Sequence, residues 1–247
     1  YAREKSAPPQ ELISAGRMLL QRISFAHNNR QDNRLEDIAK TCLAGNGGDS
    51  VATGVCVSLK AAIAAHKTSA LYHDDLLAGV LVAQPVAALE ALCGGPPKEC
   101  DRGLRILEFA STRRPLLAVI PDQIIISWCR QDPLRRYQAL AKHIVASRST
   151  GEQTPPQWTP LGLQFLAEAP EPAAVLHQFV AAFDPRGGFA GEQTRVLEQH
   201  SALLDQLDHL PGLAAAIASE KVALRAQIEE VRRVEGLVER QFNERFE

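Results

Sequence analysis

The chain has 247 residues, of which 45% are hydrophobic and 23% charged, a mixture that buries a core without a disulfide scaffold. Its formal net charge of -2 and pI near 6.4 exclude a chain-wide attraction to nucleic acid or anionic lipid, so either partner would require a local patch. Aromatic residues make up only 5%, and the alanine- and leucine-rich remainder favours helix.

In chain order, a polar lead and Pro8-Pro9 give way to a helical pattern from Glu11 through Leu12, Leu19, Leu20, Ile23 and Phe25, ending near His27. After a polar loop to Asn33, residues Leu35, Ile38, Ala39 and Leu43 predict a short second helix. Gly45-Asn46-Gly47-Gly48 reads as a turn, since no Gly-Lys-Ser/Thr comes after it to make it a phosphate loop. Asp49 or Ser50 is then expected to cap a third helix, from Val51 to about Ala65, apolar on nearly every side. A further helix runs from about Asp75 to Ala83. Residues 1–83 are expected to form an N-terminal helical segment that packs on the remainder of the chain.

From residue 84 onward the prolines keep time. Pro97, Pro133, Pro172 and Pro211 form one series and Pro85, Pro121 and Pro160 another, each with steps of about 36 to 39 residues. Proline belongs in the first turn of a helix, where its missing N–H would have no partner, so each series marks helix starts, at 85, 121, 160 and about 193, and at 97, 133, 172 and 211. Apolar residues recur at matching offsets: Tyr137, Leu176 and Ala215; Leu140, Phe179 and Ala218; Ile144, Phe183 and Val222. Two helices per period predict an all-α fold, a right-handed stack of antiparallel helix pairs, or α-solenoid, over 84–247. The stretches 148–157 and 184–188 read as longer loops.

Pro121 with Ile124 and Trp128, Asp132-Pro133 with Arg136-Tyr137, Trp158 with Pro160, Glu171-Pro172 and the closing run from Glu239 to Glu247 together resemble HEAT or armadillo-like arrays. More narrowly, residues 84 to 247 resemble the helical end module of large bacterial multidomain proteins of defence or signalling type. The resemblance implies structure and no catalytic residues.

From Ala214 to Phe246 the sequence predicts one long helix, with Leu224, Ile228, Val231, Val238 and Phe242 on its inner face and Glu229 paired with Arg233. We expect it to cap the array at its C-terminus rather than to form an oligomerising coiled coil, because Glu235 and Gly236 interrupt the seam.

Three candidate sites stand out. His66, His73, Asp74 and Asp75, with distant His27 and Asp101 or Asp122, loosely match an HD-type metal-dependent phosphohydrolase; the plainer reading makes Asp74 or Asp75 a helix N-cap. Between Lys98 and Arg148, ten basic residues stand against five acidic ones, and Arg102, Arg105, Arg135, Arg136 and Lys142 are the expected binding surface for an acidic protein segment or for phosphates. The remaining histidines, His143, His177, His200 and His209, come with no Gly-x-Ser-x-Gly elbow, and the five cysteines, Cys42, Cys56, Cys93, Cys100 and Cys129, read as reduced thiols without zinc spacing.

The sequence therefore points to a non-catalytic scaffold or sensor without cofactor or metal. Its expected partner is a protein or another domain of the same polypeptide; nucleic-acid binding is the remaining alternative. No apolar run reaches the roughly 18 residues of a membrane span, so no membrane partner and a cytoplasmic location are expected. A start at Tyr1 instead of methionine suggests a piece of a longer protein.

Overall fold

Proline placement explains where most helices of the second half begin, and the geometry follows it closely. A computed structural model of the protein describes residues 9–25, 34–111, 114–149, 154–183, 192–207 and 209–244. Among these residues there are twelve α-helices and one two-stranded ladder, so the protein is all-α in its architecture. Pro85, Pro97, Pro133, Pro160 and Pro172 each stand in the first turn of a helix, and Pro121 occupies an N-cap. The chain divides into two compact units, Tyr1–Gln131 and Asp132–Glu247. The boundary read from the sequence at 83/84 lies inside the first unit, between its fourth and fifth helices.

The first unit contains α1 (Gln10–Gln21), α2 (Arg34–Leu43), α3 (Gly48–Ala64), α4 (Asp74–Ala83), α5 (Pro85–Cys93), α6 (Pro97–Ala110) and α7 (Asp122–Arg130). Packing runs α1 on α2, α2 on α4, α3 on α5, and α5 on both α6 and α7. Leu43, Leu59, Leu76, Leu77, Leu81, Leu89, Leu92 and Trp128 are fully buried, and burial of each leucine contributes roughly 1.5 to 3 kcal/mol. Two glycines allow one helix to approach the backbone of another. A Cβ on Gly79 of α4 would lie 2.5 Å from the Glu36 carbonyl oxygen of α2, and one on Gly103 of α6 would lie 2.0 Å from the Leu92 carbonyl oxygen of α5.

Side chains from neighbouring helices satisfy carbonyls that helix ends leave open. Arg17 of α1 donates from Nε to the Cys42 carbonyl at 2.7 Å, Gln84 donates to the Leu43 carbonyl at 2.7 Å, and Lys60 of α3 donates to the Leu92 carbonyl at 2.9 Å. Helix α3 begins earlier than the sequence suggests. Gly47, at φ 76°, is its N-cap, and Asp49 lies in the first turn instead of capping it. At its other end Lys67 N–H donates to the Ala62 carbonyl and His66 N–H to the Ile63 carbonyl, a Schellman closure that holds His66 at φ 54°.

The second unit contains α8 (Pro133–Ala141), β1 (Ser147–Arg148), β2 (Gln157–Trp158), α9 (Pro160–Glu168), α10 (Pro172–Ala181), α11 (Glu192–Asp205) and α12 (Ala214–Glu244). The stretch expected to be a plain loop is closed at its neck, because β1 and β2 pair antiparallel, Ser147 with Trp158 and Arg148 with Gln157. The stretch 184–188 lies outside the described residues. A run of rings forms the core: Tyr137 to Phe165 at 5.0 Å, Phe165 to Phe179 at 6.5 Å, Phe179 to Trp158 at 5.9 Å and Trp158 to Phe183 at 6.2 Å. Trp158 Nε1 donates to the Leu203 carbonyl at 2.9 Å, so the indole is satisfied inside this core.

The long terminal helix is present, but its register differs from the repeat. Pro211 and Gly212 form a turn and α12 opens at Ala214, where the long terminal helix is expected and three residues after the start that the proline interval gives. Its buried face differs too. Ala215, Ala218 and Val222 lie exposed where Leu176, Phe179 and Phe183 are buried; the core takes Ile217 instead, together with Leu224 and Ile228 of the stripe expected on the inner face. Arg233 grips Glu230 through both carboxylate oxygens, at 2.6 and 2.9 Å, rather than Glu229.

The Gly103 contact yields a test. Gly103→Ala is expected to lower unfolding free energy by about 1 to 3 kcal/mol, through the collision with the Leu92 carbonyl. Chemical denaturation checks this against Gly54→Ala, where nothing lies within 4 Å of the added methyl group and α3 gains helix propensity.

Candidate functional site

Helix α6 turns its apolar residues, Cys100, Leu104, Ile106, Leu107 and Ala110, into the first unit. Among the positions left outside, Lys98, Arg102, Arg105 and Phe109, at i, i+4, i+7 and i+11, are lined up by the 3.6-residue period as one stripe. All four are exposed, and Phe109 is 68% exposed, the highest among the large hydrophobic side chains described. Arg102 Nη1 meets Glu99 at 3.0 Å, and Lys60 meets the same carboxylate at 3.1 Å; the bond from Lys60 first, then the charge of Arg102, holds the Glu99 carboxyl below its ordinary range. Asp101 and Glu108 lie to one side of the stripe.

The five basic residues expected to form a surface thus fall on different footings. Arg102 and Arg105 belong to the first unit and Arg135, Arg136 and Lys142 to the second. Arg105 and Lys142 are exposed, whereas Arg135 is tied to Asp132 at 2.7 Å. Arg136 is only 6% exposed, which removes it from any solvent-facing surface. Its place in α8 beside Tyr137 makes it part of the inward face, a position that the charge count alone could not reveal.

The histidine and aspartate cluster has a structural explanation. His66 is exposed at the end of α3. His73 is the N-cap residue of α4, and Asp74 and Asp75 come next in the first turn rather than capping the helix themselves, where the positive end of the helix favours their charge. The His73 ring is 1% exposed, meets Phe25 edge-on at 5.2 Å and shares a hydrogen bond of 2.8 Å between Nε2 and Thr68 Oγ1. Its Nδ1 has no hydrogen-bond partner among the described residues. Burial holds its pKa down to about 4, with the Asp74 charge opposing. Asp101 and Asp122 are exposed, and His27 lies outside the described residues. Among the described residues no three His, Cys, Asp or Glu side chains are grouped to hold a metal ion.

A feature that sequence reasoning missed lies beside this cluster. A pocket of about 170 Å³ is lined by Glu36, Asp74, Asp75, Arg114 and Leu116. Arg114 Nη2 and Lys40 Nζ both reach Glu36 Oε1 at 2.5 Å, and the Arg114 hydrogen bond above all keeps the Glu36 carboxyl below its usual range. The Asp74-Asp75 pair was visible in the sequence, but Glu36 reaches it only through the packing of α2 on α4, and Arg114 only because the segment after α6 also lies against α4.

The five cysteines form no disulfide and are buried. Desolvation pushes the Cys56 thiol up to about 12 and raises Cys93 as well, so neither is a ready nucleophile. His200 stacks on Phe183 at 4.1 Å, and His177 meets Glu220 at 2.8 Å, which ties α10 to α12. No helix among the described residues is long and apolar enough to cross a membrane. No protein family, no curated protein and no solved structure matches the chain.

Buried His73 makes stability depend on pH. The unfolded chain takes up a proton on this ring below about pH 6.5 and the folded chain only below about 4, so stability is complete above the first value and falls as pH drops between the two. The expected loss is about 3 kcal/mol. Urea unfolding of the wild type and His73→Leu at pH 7, 5.5 and 4 checks it: the variant's stability should decline less steeply over this range.

Proposed function

We propose that the chain is a non-catalytic helical-repeat interaction module, a scaffold or sensor that belongs to a larger bacterial protein. Its partner is another protein or another domain of the same polypeptide, and its helix pairs stack in the right-handed, HEAT-like manner that the proline series suggests. The stacking is supported by helices that meet others two places along the chain: α2 with α4 and α3 with α5 in the first unit, and α8 with α10 in the second.

The observation that carries the interaction reading is the α6 stripe. An exposed phenylalanine contributes little to folding while its ring stays in water, and aromatic and arginine side chains are the groups that dominate protein contacts. Lys98, Arg102 and Arg105 in line with Phe109 suit an acidic segment with an apolar anchor at one end. A protein segment fits better than nucleic acid, because Glu99, Asp101 and Glu108 flank the stripe and would repel a phosphate backbone that continued past it.

Fluorescence anisotropy with a labelled helical peptide bearing glutamates and two leucines on one face tests this reading. Binding should weaken as salt rises, and Arg102→Glu with Arg105→Glu, or Phe109→Ser, should each cost about fivefold or more in affinity. Peptide affinity indifferent to both changes would sink the assignment of α6. Metal-dependent hydrolysis of bis(p-nitrophenyl) phosphate that disappears in His73→Ala would replace the module with a phosphohydrolase.

A further inference from the structure

Helix α1 is apolar on two sides. Its inner side carries Leu20, which is buried, and Gly16, which lies so close to Cys42 of α2 that an added Cβ would fall 2.1 Å from Sγ. Its outer side carries Leu12, Ala15, Met18 and Leu19, and the three large residues are 61%, 53% and 49% exposed. Positions 12, 15, 19 and 22 follow the three-four-three spacing of a helix-pairing seam, with Glu11 beside its first member and Arg22 at its last.

We propose that this outer face of α1 pairs with the same face of a second copy of the chain, the two helices running antiparallel about a two-fold axis. In that orientation Leu19 of one copy falls against the small Ala15 of the other. Leu12 lies along the aliphatic stem of Arg22, whose guanidinium reaches Glu11 of the facing helix. The two-fold repeats every contact, so both Glu11 and both Arg22 residues meet opposite charge. A parallel pair would instead set Glu11 beside Glu11 and Arg22 beside Arg22. The pattern is therefore self-complementary in one orientation only, which is why a second copy fits it better than an unrelated protein. A seam of 12 residues is about 18 Å long, so its area sits at the low end for specific contacts and the dimer is weak.

Sedimentation velocity on the 247-residue chain from about 10 µM to about 1 mM tests the pairing. The wild-type mass should rise from 26.9 kDa towards twice that value as concentration increases. Leu19→Glu, at an exposed position that leaves the fold intact by circular dichroism, should raise the dissociation constant about tenfold or more. Glu11→Arg should weaken association about threefold or more, and adding Arg22→Glu to it should restore the wild-type value, because reversing both charges recreates the attraction. A chain that stays at the monomer mass throughout, whether or not another protein takes the face, overturns the proposal. So does a dimer indifferent to Leu19→Glu, or a double charge reversal that fails to recover association.

Discussion

Most of the helices described are too short to stand alone. Seven of the twelve described, α2, α4, α5, α7, α8, α9 and α10, have only nine or ten residues, below the roughly 12 to 15 residues at which even an alanine-rich helix becomes marginally stable in water. Each must therefore be held by what it packs against. That need explains the two glycine contacts, which let α4 and α6 approach a neighbour's backbone, and the side chains of Arg17, Gln84 and Lys60 that reach across to finish another helix's hydrogen bonds. Secondary and tertiary structure are in this sense one event: remove a neighbour and the helix itself loses its reason to form.

The same dependence decides what could be read in advance. Proline acts locally, through its fixed φ and missing N–H, so the starts at Pro85, Pro97, Pro133, Pro160 and Pro172 were legible without any knowledge of packing. Pro211 obeyed the interval but not the geometry, because the adjacent Gly212 adopts a left-handed conformation and delays α12. A repeat inferred from spacing alone carries no information about which face such a helix buries: Val222 stays in solvent, while Leu224 and Ile228, which the helix's own apolar period puts on its inner face, enter the core.

Charge was less legible than hydrophobicity. Counting basic residues between Lys98 and Arg148 placed Arg136 among surface cations, whereas the period of α8 carries it inward with Tyr137 and Leu140. On α6 the same period does the opposite and gathers Lys98, Arg102 and Arg105 on one line, although the helix as a whole holds as many acids as bases. What matters for a partner is this segregation, since a neighbour two turns away along the stripe feels a patch rather than a net charge. The pocket at Glu36 lay beyond sequence reasoning for a different reason: its carboxylates and Arg114 come from three separate segments that only the fold brings together.

Five sulfur atoms sealed in the interior also make the molecule its own reporter of opening. An alkylating reagent needs a thiolate in contact with water, and the native state withholds both conditions at Cys56 and Cys93, by excluding solvent and by tightening each thiol's hold on its proton. Any modification at these positions is thus a record of time spent ajar. All five belong to the first unit, and each sits on a different helix, so the order in which they react would map which parts of that unit breathe first.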